Sequence, residues 1–263
     1  MRVVHIEPEP FHTVTHFDGP TTHAPAAVLP FHRATVDVLP DVLRAIVATS
    51  DLQGVVQSVT GGGHQSLGQA LAAELRSLRT RGLLPERAAT AVLLAGDLHP
   101  GAGVADVSAV WHALADECRW VAGVAGNHDA FGAATALAAA RAALGRLDCH
   151  LLDGDRLDVD GLRIGGLSGM VGSSGEPWAR DKPQYATAVS RLVGSGTEVL
   201  ICHDGPNVAG TSLSGWPVVR HALEAAPPTL LVRGHDHWPV PLATLANGTQ
   251  VLNVEGRVVV MTR

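Results

Sequence analysis

Ala91-Val92-Leu93-Leu94-Ala95-Gly96-Asp97 is an apolar run that stops at a glycine and an acid. A run of this length reads as a buried strand, which puts Asp97 at its carboxyl end, where open α/β sheets bind ligands. The pattern recurs on either side. Ser50-Asp51-Leu52-Gln53-Gly54 follows Ala45 to Ala48, and Gly126-Asn127-His128-Asp129 follows Trp120 to Ala125. His203-Asp204 and Gly234-His235-Asp236-His237 close two further apolar runs. Strand ends that carry Asp, Asn and His in this order build a cluster of metal-ligating side chains.

The segments between these strand ends have helical period. Leu67, Leu71, Leu75 and Leu78 line one face of a helix that Gly82 closes, and Val107, Trp111, Leu114 and Cys118 mark a second. The Ala-rich stretch Ala133 to Leu144, interrupted by Arg141, reads as a third that ends before Gly145. The order βαβαβα predicts parallel strands. From Leu147 onward the texture changes to hairpins. Asp160-Gly161 separates Leu157 and Val159 from Leu162 and Ile164, Asn247-Gly248 lies between two more strand runs, and Glu255-Gly256 precedes Val258 to Val260.

At 263 residues the chain is long enough for a sizeable core and reads as one domain, residues 1–263. Its formal charge of -6, with 14 histidines neutral, leaves no basic footprint for a long nucleic acid. Cys118, Cys149 and Cys202 are odd in number and widely spaced, which fits buried thiols in a reducing cytoplasm better than a disulfide framework. The segment Met1 to Pro8 lacks the apolar stretch of a signal peptide, and no segment approaches the roughly 20 apolar residues of a membrane span. A soluble cytoplasmic protein is expected. Residues 1–44 hold His5, His12, His16, His23 and His32 among six prolines. They predict an extension of short strands and loops, packed on the core or on a second subunit as in a homo-oligomer, with its histidines scattered on the surface.

The ordered set resembles the calcineurin-like metallophosphoesterase superfamily, whose motifs run D-x-H, G-D, G-N-H-[DE], H and G-H-x-H. Four of the five match residue for residue between Ala45 and Val254; in the first, Gln53 stands where the family has His. The resemblance implies an α/β fold, a four-layer αββα sandwich of two mixed β-sheets with outer helices. It implies two divalent metal ions bridged by Asp97, one completed by Asp51, Gln53 and His237, the other by Asn127, His203 and His235. Mixed N and O ligation suits Mn, Fe or Zn better than Mg, with Mn foremost. It further implies in-line attack on phosphorus by a hydroxide shared between the cations. The resemblance also implies that His128 protonates the leaving oxygen or stabilises its charge, that Asp129 orients its ring, and that Asn127 and His128 touch the substrate.

Trp238, next to His237, is a candidate to stack on a ring of the substrate, whereas Trp178, Tyr185 and Trp216 read as core or lid packing. The protein Ser/Thr phosphatase branch continues Gly-Asp with Asp-Arg-Gly; here Leu98-His99-Pro100-Gly101 follows, without an arginine to grip a phosphate dianion. This favours a small phosphodiester or a nucleotide as substrate, with Arg180, Lys182 or Arg233 as cations drawn from elsewhere. Gly61-Gly62-Gly63-His64 lacks the Lys-Ser/Thr of a P-loop and reads as a connection, with His64 a replacement ligand. The alternative to an enzyme is a weakly metal-binding scaffold of the same fold, the role of one membrane-coat subunit in this superfamily; Gln53 is the feature that speaks for it.

Overall fold

The computed structural model describes residues 1–57, 63–101, 103–133, 136–173, 175 and 177–263. Gly61 and Gly62 of the glycine run, and Ala134 and Thr135 of the Ala-rich stretch, lie outside them. The chain opens with β1 (Val3–Ile6), β2 (His12–Phe17) and β3 (Ala26–Val36), followed by β4 (Ala45–Thr49) and the hairpin β5 (Val55–Gln57) and β6 (His64–Ser66). Helix α1 (Leu67–Thr80), β7 (Thr90–Leu94), β8 (Ala105–Asp106), α2 (Ser108–Ala115), β9 (Val121–Gly123), β10 (Asp129–Ala130), α3 (Leu137–Leu144) and β11 (Cys149–Leu151) come next. Then β12 (Asp155–Val159), β13 (Leu162–Leu167), α4 (Lys182–Gly194), β14 (Val199–Cys202) and α5 (Pro217–Glu224) lead to β15 (Leu230–Arg233), β16 (Leu242–Thr244), β17 (Gln250–Asn253) and β18 (Val258–Thr262).

Among the described residues a 10-stranded sheet runs β11-β9-β7-β4-β18-β3-β2-β5-β6, with β1 also on β3, and a 6-stranded sheet runs β12-β13-β14-β15-β17-β16. The predicted βαβ series gives parallel pairing from β4 through β7 and β9 to β11. In the second sheet β13, β14, β15 and β17 are parallel, and the hairpins add β12 and β16 antiparallel at the edges. Both sheets are therefore mixed.

The four layers follow from alternation along each strand. In β4, Ala45 and Val47 pack with Leu71 and Leu75 of α1, while Ile46 and Ala48 share a cluster with Ile201 of β14 and Val232 of β15. On the far side of the second sheet, Leu200 and Leu231 pack with Tyr185 and Val189 of α4 and Leu223 of α5. Strands covered from both faces have no solvent side, so β4 and β7 are buried throughout, Thr49 and Thr90 included. The result is helices, sheet, sheet, helices, an αββα sandwich.

Helix α1 shows how local sequence sets an element. Ser66 caps it by accepting a hydrogen bond from the Gln69 amide, and Gly82 at φ 71° lets the chain turn away at its end. The predicted stripe of Leu67, Leu71, Leu75 and Leu78 is fully buried, each side chain contributing about 1.5–3 kcal/mol by leaving water.

Three expectations change. The Ala-rich helix covers Leu137–Leu144 and not Ala133 onward; Gly132 at φ 59° and a turn at Ala133 precede it. Glu255-Gly256 does not close a hairpin, because β17 and β18 belong to different sheets and the turn carries the chain across the sandwich. Residues 1–44 supply three strands of the first sheet, with β3 paired parallel to β18 in its interior, and His16 is buried rather than a surface histidine.

Candidate metal centre

The polar strand ends gather at one edge of the sandwich. Three of them depart from ordinary backbone geometry: Asp51, Asp97 and His235 adopt φ of 53°, 55° and 69°. A non-glycine residue held there costs of order 1–3 kcal/mol and persists only where its surroundings over-determine it. Here they do. The Asp51 and Leu52 amides donate to the carbonyls of Gly96 and Asp97, at 2.9 and 2.8 Å, and the His235 amide donates to Asp51 Oδ2 at 3.0 Å. Gly126 is required for space, since a β-carbon on it would lie 1.9 Å from Asp97 Oδ1.

Asp97, His203 and His235 bring one ligand atom each within 4.8 Å of one another. His203 is fully buried, and its Nδ1 lies 2.7 Å from the Ala95 carbonyl oxygen. A carbonyl only accepts, so Nδ1 carries a proton and Nε2 is the nitrogen turned to the centre, where a bound cation would take the place of its proton. That Nε2 faces Asn127 Oδ1 at 3.1 Å and Asp97 Oδ2 at 3.4 Å. Acceptor atoms converging from imidazole, amide and carboxylate are the donor set a divalent cation fits.

The electrostatics point the same way. Burial, eased by His203 and reinforced by the like charge of Asp97, pushes the Asp51 carboxyl up to about 7. Burial and then Asp97 push Asp129 up to about 6. For His203 burial works downward, but the Asp97 carboxylate outweighs it and the imidazole rises to about 10. Three carboxylates in one buried centre call for more positive charge than a single imidazole supplies.

The other residues singled out in the sequence occupy varied places. Gln53 reaches the centre, its Nε2 donating to Asp97 Oδ2 at 3.3 Å. His237 stays outside the compact group, its side chain 69% exposed and its Nδ1 2.6 Å from Glu255 Oε2. That contact leaves Nε2 as the nitrogen free for a ligand, the orientation a carboxylate imposes on metal-binding histidines. His128 lies at the rim, its amide donating to Asp97 Oδ1 at 3.0 Å and its Nε2 3.9 Å from Asp97 Oδ2. His64 is exposed on β6, where it pairs with Gln57, outside the group formed by Asp97, His203 and His235.

Two roles are corrected. Asp129 does not orient the ring of His128; its carboxylate is buried and accepts from the amides of Asp97, Leu98 and Gly126, each at 2.8 Å, because the strained loop leaves those donors without other partners. Trp238 does not face a substrate; it is fully buried, donates to the Ser214 carbonyl at 2.9 Å and lies under the Arg233 guanidinium. Trp178, Tyr185 and Trp216 do pack inward, and each ring's polar atom donates within the fold, to Asp129, Asp204 and Asp204 respectively. Glu255 was not legible as part of the site. It sits in a turn with no motif around it, and only the crossing from β17 to β18 carries it to His237.

An amide binds a cation through its oxygen alone, a weaker donor to Mn, Fe or Zn than imidazole nitrogen. Gln53→His is therefore expected to tighten the weaker of two metal sites by roughly 10-fold, a ligand-scale effect. Calorimetric titration of Mn into the metal-free protein reads this, and an unchanged isotherm would count against Gln53 as a ligand.

The family model for calcineurin-like phosphoesterases matches residues 44–239. The chain belongs to that family, whose members catalyse metal-dependent hydrolysis of phosphoesters and generally bind two divalent metals. Among solved structures it is similar to the TT1561 protein of Thermus thermophilus, at TM-score 0.57 and 19% identity over 80% of this chain and 88% of that one. A second has TM-score 0.53 and 14% identity over 80% and 90%. Both likenesses are of fold. No match to a curated protein was found.

Proposed function

We propose that this protein hydrolyses small phosphodiesters or nucleotides with two divalent cations, Mn foremost, held on either side of Asp97. The observation that carries the reading is the convergence of Asp97 Oδ2, His203 Nε2 and Asn127 Oδ1 beside His128 at the carboxyl ends of parallel strands. Asn127, His203 and His235 would hold one cation; Asp51, Gln53 and His237 would hold the other. Bound there, the pair would supply Lewis-acid charge and a water ionised near neutral pH.

The chain's own residues do the rest. Asp97 would offer its carboxylate to both cations, and the backbone amides that bind Asp129 hold the Asp97 loop in place. Asn127 would hold a cation through its Oδ1, which faces His203, and its amide nitrogen would donate to a phosphoryl oxygen. His128, with a side chain 27% exposed, stands at the rim, where its imidazole can protonate the departing oxygen. The missing arginine grip supports a diester, which carries one charge fewer than a monoester. Arg180 is committed to both oxygens of Asp153 at 2.7 Å, and Arg233 is fully buried on the carbonyls of Gly234 and Ser214. Cys118, Cys149 and Cys202 are buried free thiols pushed up to about 12 mainly by that burial, which suits a reducing cytoplasm and leaves no thiol nucleophile. No helix is long and apolar enough to cross a membrane among the described residues.

Turnover of bis-p-nitrophenyl phosphate and p-nitrophenyl phosphate with added Mn tests the proposal. Faster hydrolysis of the diester is expected; a protein that takes up two cations and turns over neither ester would be the scaffold instead. His128→Ala should lower turnover by roughly 10²–10⁴ for esters with poor leaving groups, and less for nitrophenyl esters, with metal content intact. Equal losses for both would make His128 a ligand or a structural residue.

A further inference from the structure

The segment before residue 44 lies outside the stretch that matches the family, yet its strand β2 ends beside the chain that leaves Gln53. Strand β2 pairs with β5 at Phe17 and Val55, which sets His16 against the loop that carries Asp51 and Gln53. His16 is 9% exposed, and its Nδ1 is buried with no hydrogen-bond partner among the described residues. Such an orphan costs about 1–3 kcal/mol and calls for a physical explanation.

Gly54 explains how the ring gets there. It lacks the positive φ that would call for glycine on conformational grounds, so its missing side chain serves space. A β-carbon on Gly54 would lie 2.5 Å from His16 Nδ1, 3.2 Å from His16 Cε1 and 2.7 Å from the Phe17 carbonyl oxygen. The imidazole thus rests on the Gly54 backbone, one residue from Gln53, whose Cα is about 3.8 Å further along the chain. Gln53 itself donates its amide N–H to Asp97 and would offer a cation there only its carbonyl oxygen.

We propose that His16 is a metal ligand supplied by the amino-terminal extension, its imidazole giving the cation of the Asp51 and Gln53 site the nitrogen donor that Gln53 does not. The backbone of β2 is held by its pairing to β3, so ligation would require a change of side-chain torsion that turns the ring from the Gly54 backbone toward that cation. The extension then acts as part of the metal centre, and the fold has been fitted to it by a glycine. This rests on the two-cation reading above.

The test is titration of Co(II) into the metal-free full chain, followed by calorimetry and by the visible ligand-field absorption of the bound ion. Two cations per chain are expected for the unmodified protein. His16→Ala should weaken the looser site by about 10- to 100-fold, leave the tighter one unchanged and alter the absorption of the second equivalent. His16→Phe, which keeps a ring of similar size without a donor, should do the same while preserving the packing. Gln53→His added to either variant should restore the lost affinity, and its gain there should exceed its gain in the unmodified chain. A donor role predicts that rescue; a packing role does not. Unchanged binding in His16→Phe, or a loss that Gln53→His fails to rescue, overturns the assignment of His16 while leaving the two-cation reading in place. Uptake of a single cation by the unmodified chain overturns both.

Discussion

Asp97→Ala is expected to abolish phosphoester hydrolysis and to lose both cations. The reason is geometric. Asp97 Oδ2 faces His203 Nε2 at 3.4 Å and Gln53 Nε2 at 3.3 Å, so the carboxylate stands between the two ligand sets. Removing it takes a donor from each, and two sites that share a carboxylate fail together. Fold should survive, because the β7 strand that carries the residue is anchored by pairing to β4 and β9 on both sides. Metal content by mass spectrometry and turnover of bis-p-nitrophenyl phosphate check the result together. Two metals per chain with near-normal turnover would show that the site has been misplaced.

The second large effect belongs to a residue that touches no metal. Asp129→Ala leaves the buried amides of Asp97, Leu98 and Gly126 without their acceptor, and each unsatisfied donor costs about 1–3 kcal/mol. The loop bearing Asp97 should slacken, with a lowered melting temperature and metal affinity reduced by roughly 10- to 100-fold. Activity should fall equally for good and poor leaving groups, since the damage lies in metal binding. If Asp129 instead served His128, the loss would grow with leaving-group basicity and metal content would hold. Leaving-group series measured on Asp129→Ala and His128→Ala side by side separate the two roles.

How much of this could be read from the chain depends on whether a signal is local. The strand ends at Asp51, Asp97, Asn127, His203 and His235 were legible because a buried strand shows as an apolar run and a ligand at its end breaks that run. The parallel half of the first sheet followed from helical periods between strands, and the Asp160-Gly161 and Asn247-Gly248 hairpins from their turn residues, which occur with φ of 50°, 82° and, at Gly248, 88°. Glu255-Gly256 has the same local signature but joins two sheets, a difference set by the partners of β18 and by nothing in the turn. Trp238 shows the same limit for a side chain. Adjacency to His237 suggested exposure, yet Trp238 turns into the core while His237 turns out. Asp129 was found as a site residue for the wrong partner, since backbone donors brought together by folding leave no trace in the sequence. The burial of His16 was invisible for that reason too: only the pairing of β2 with β5 carries it to Gly54.

The central claim is that two cations flank Asp97. Crystals grown with Mn and measured with anomalous scattering at the Mn edge test it most directly. The account predicts two anomalous peaks about 3.5–4 Å apart, one on each side of the Asp97 carboxylate, the first against Asn127, His203 and His235 and the second against Asp51, Gln53 and His237. A single peak, or peaks away from Asp97, would contradict it.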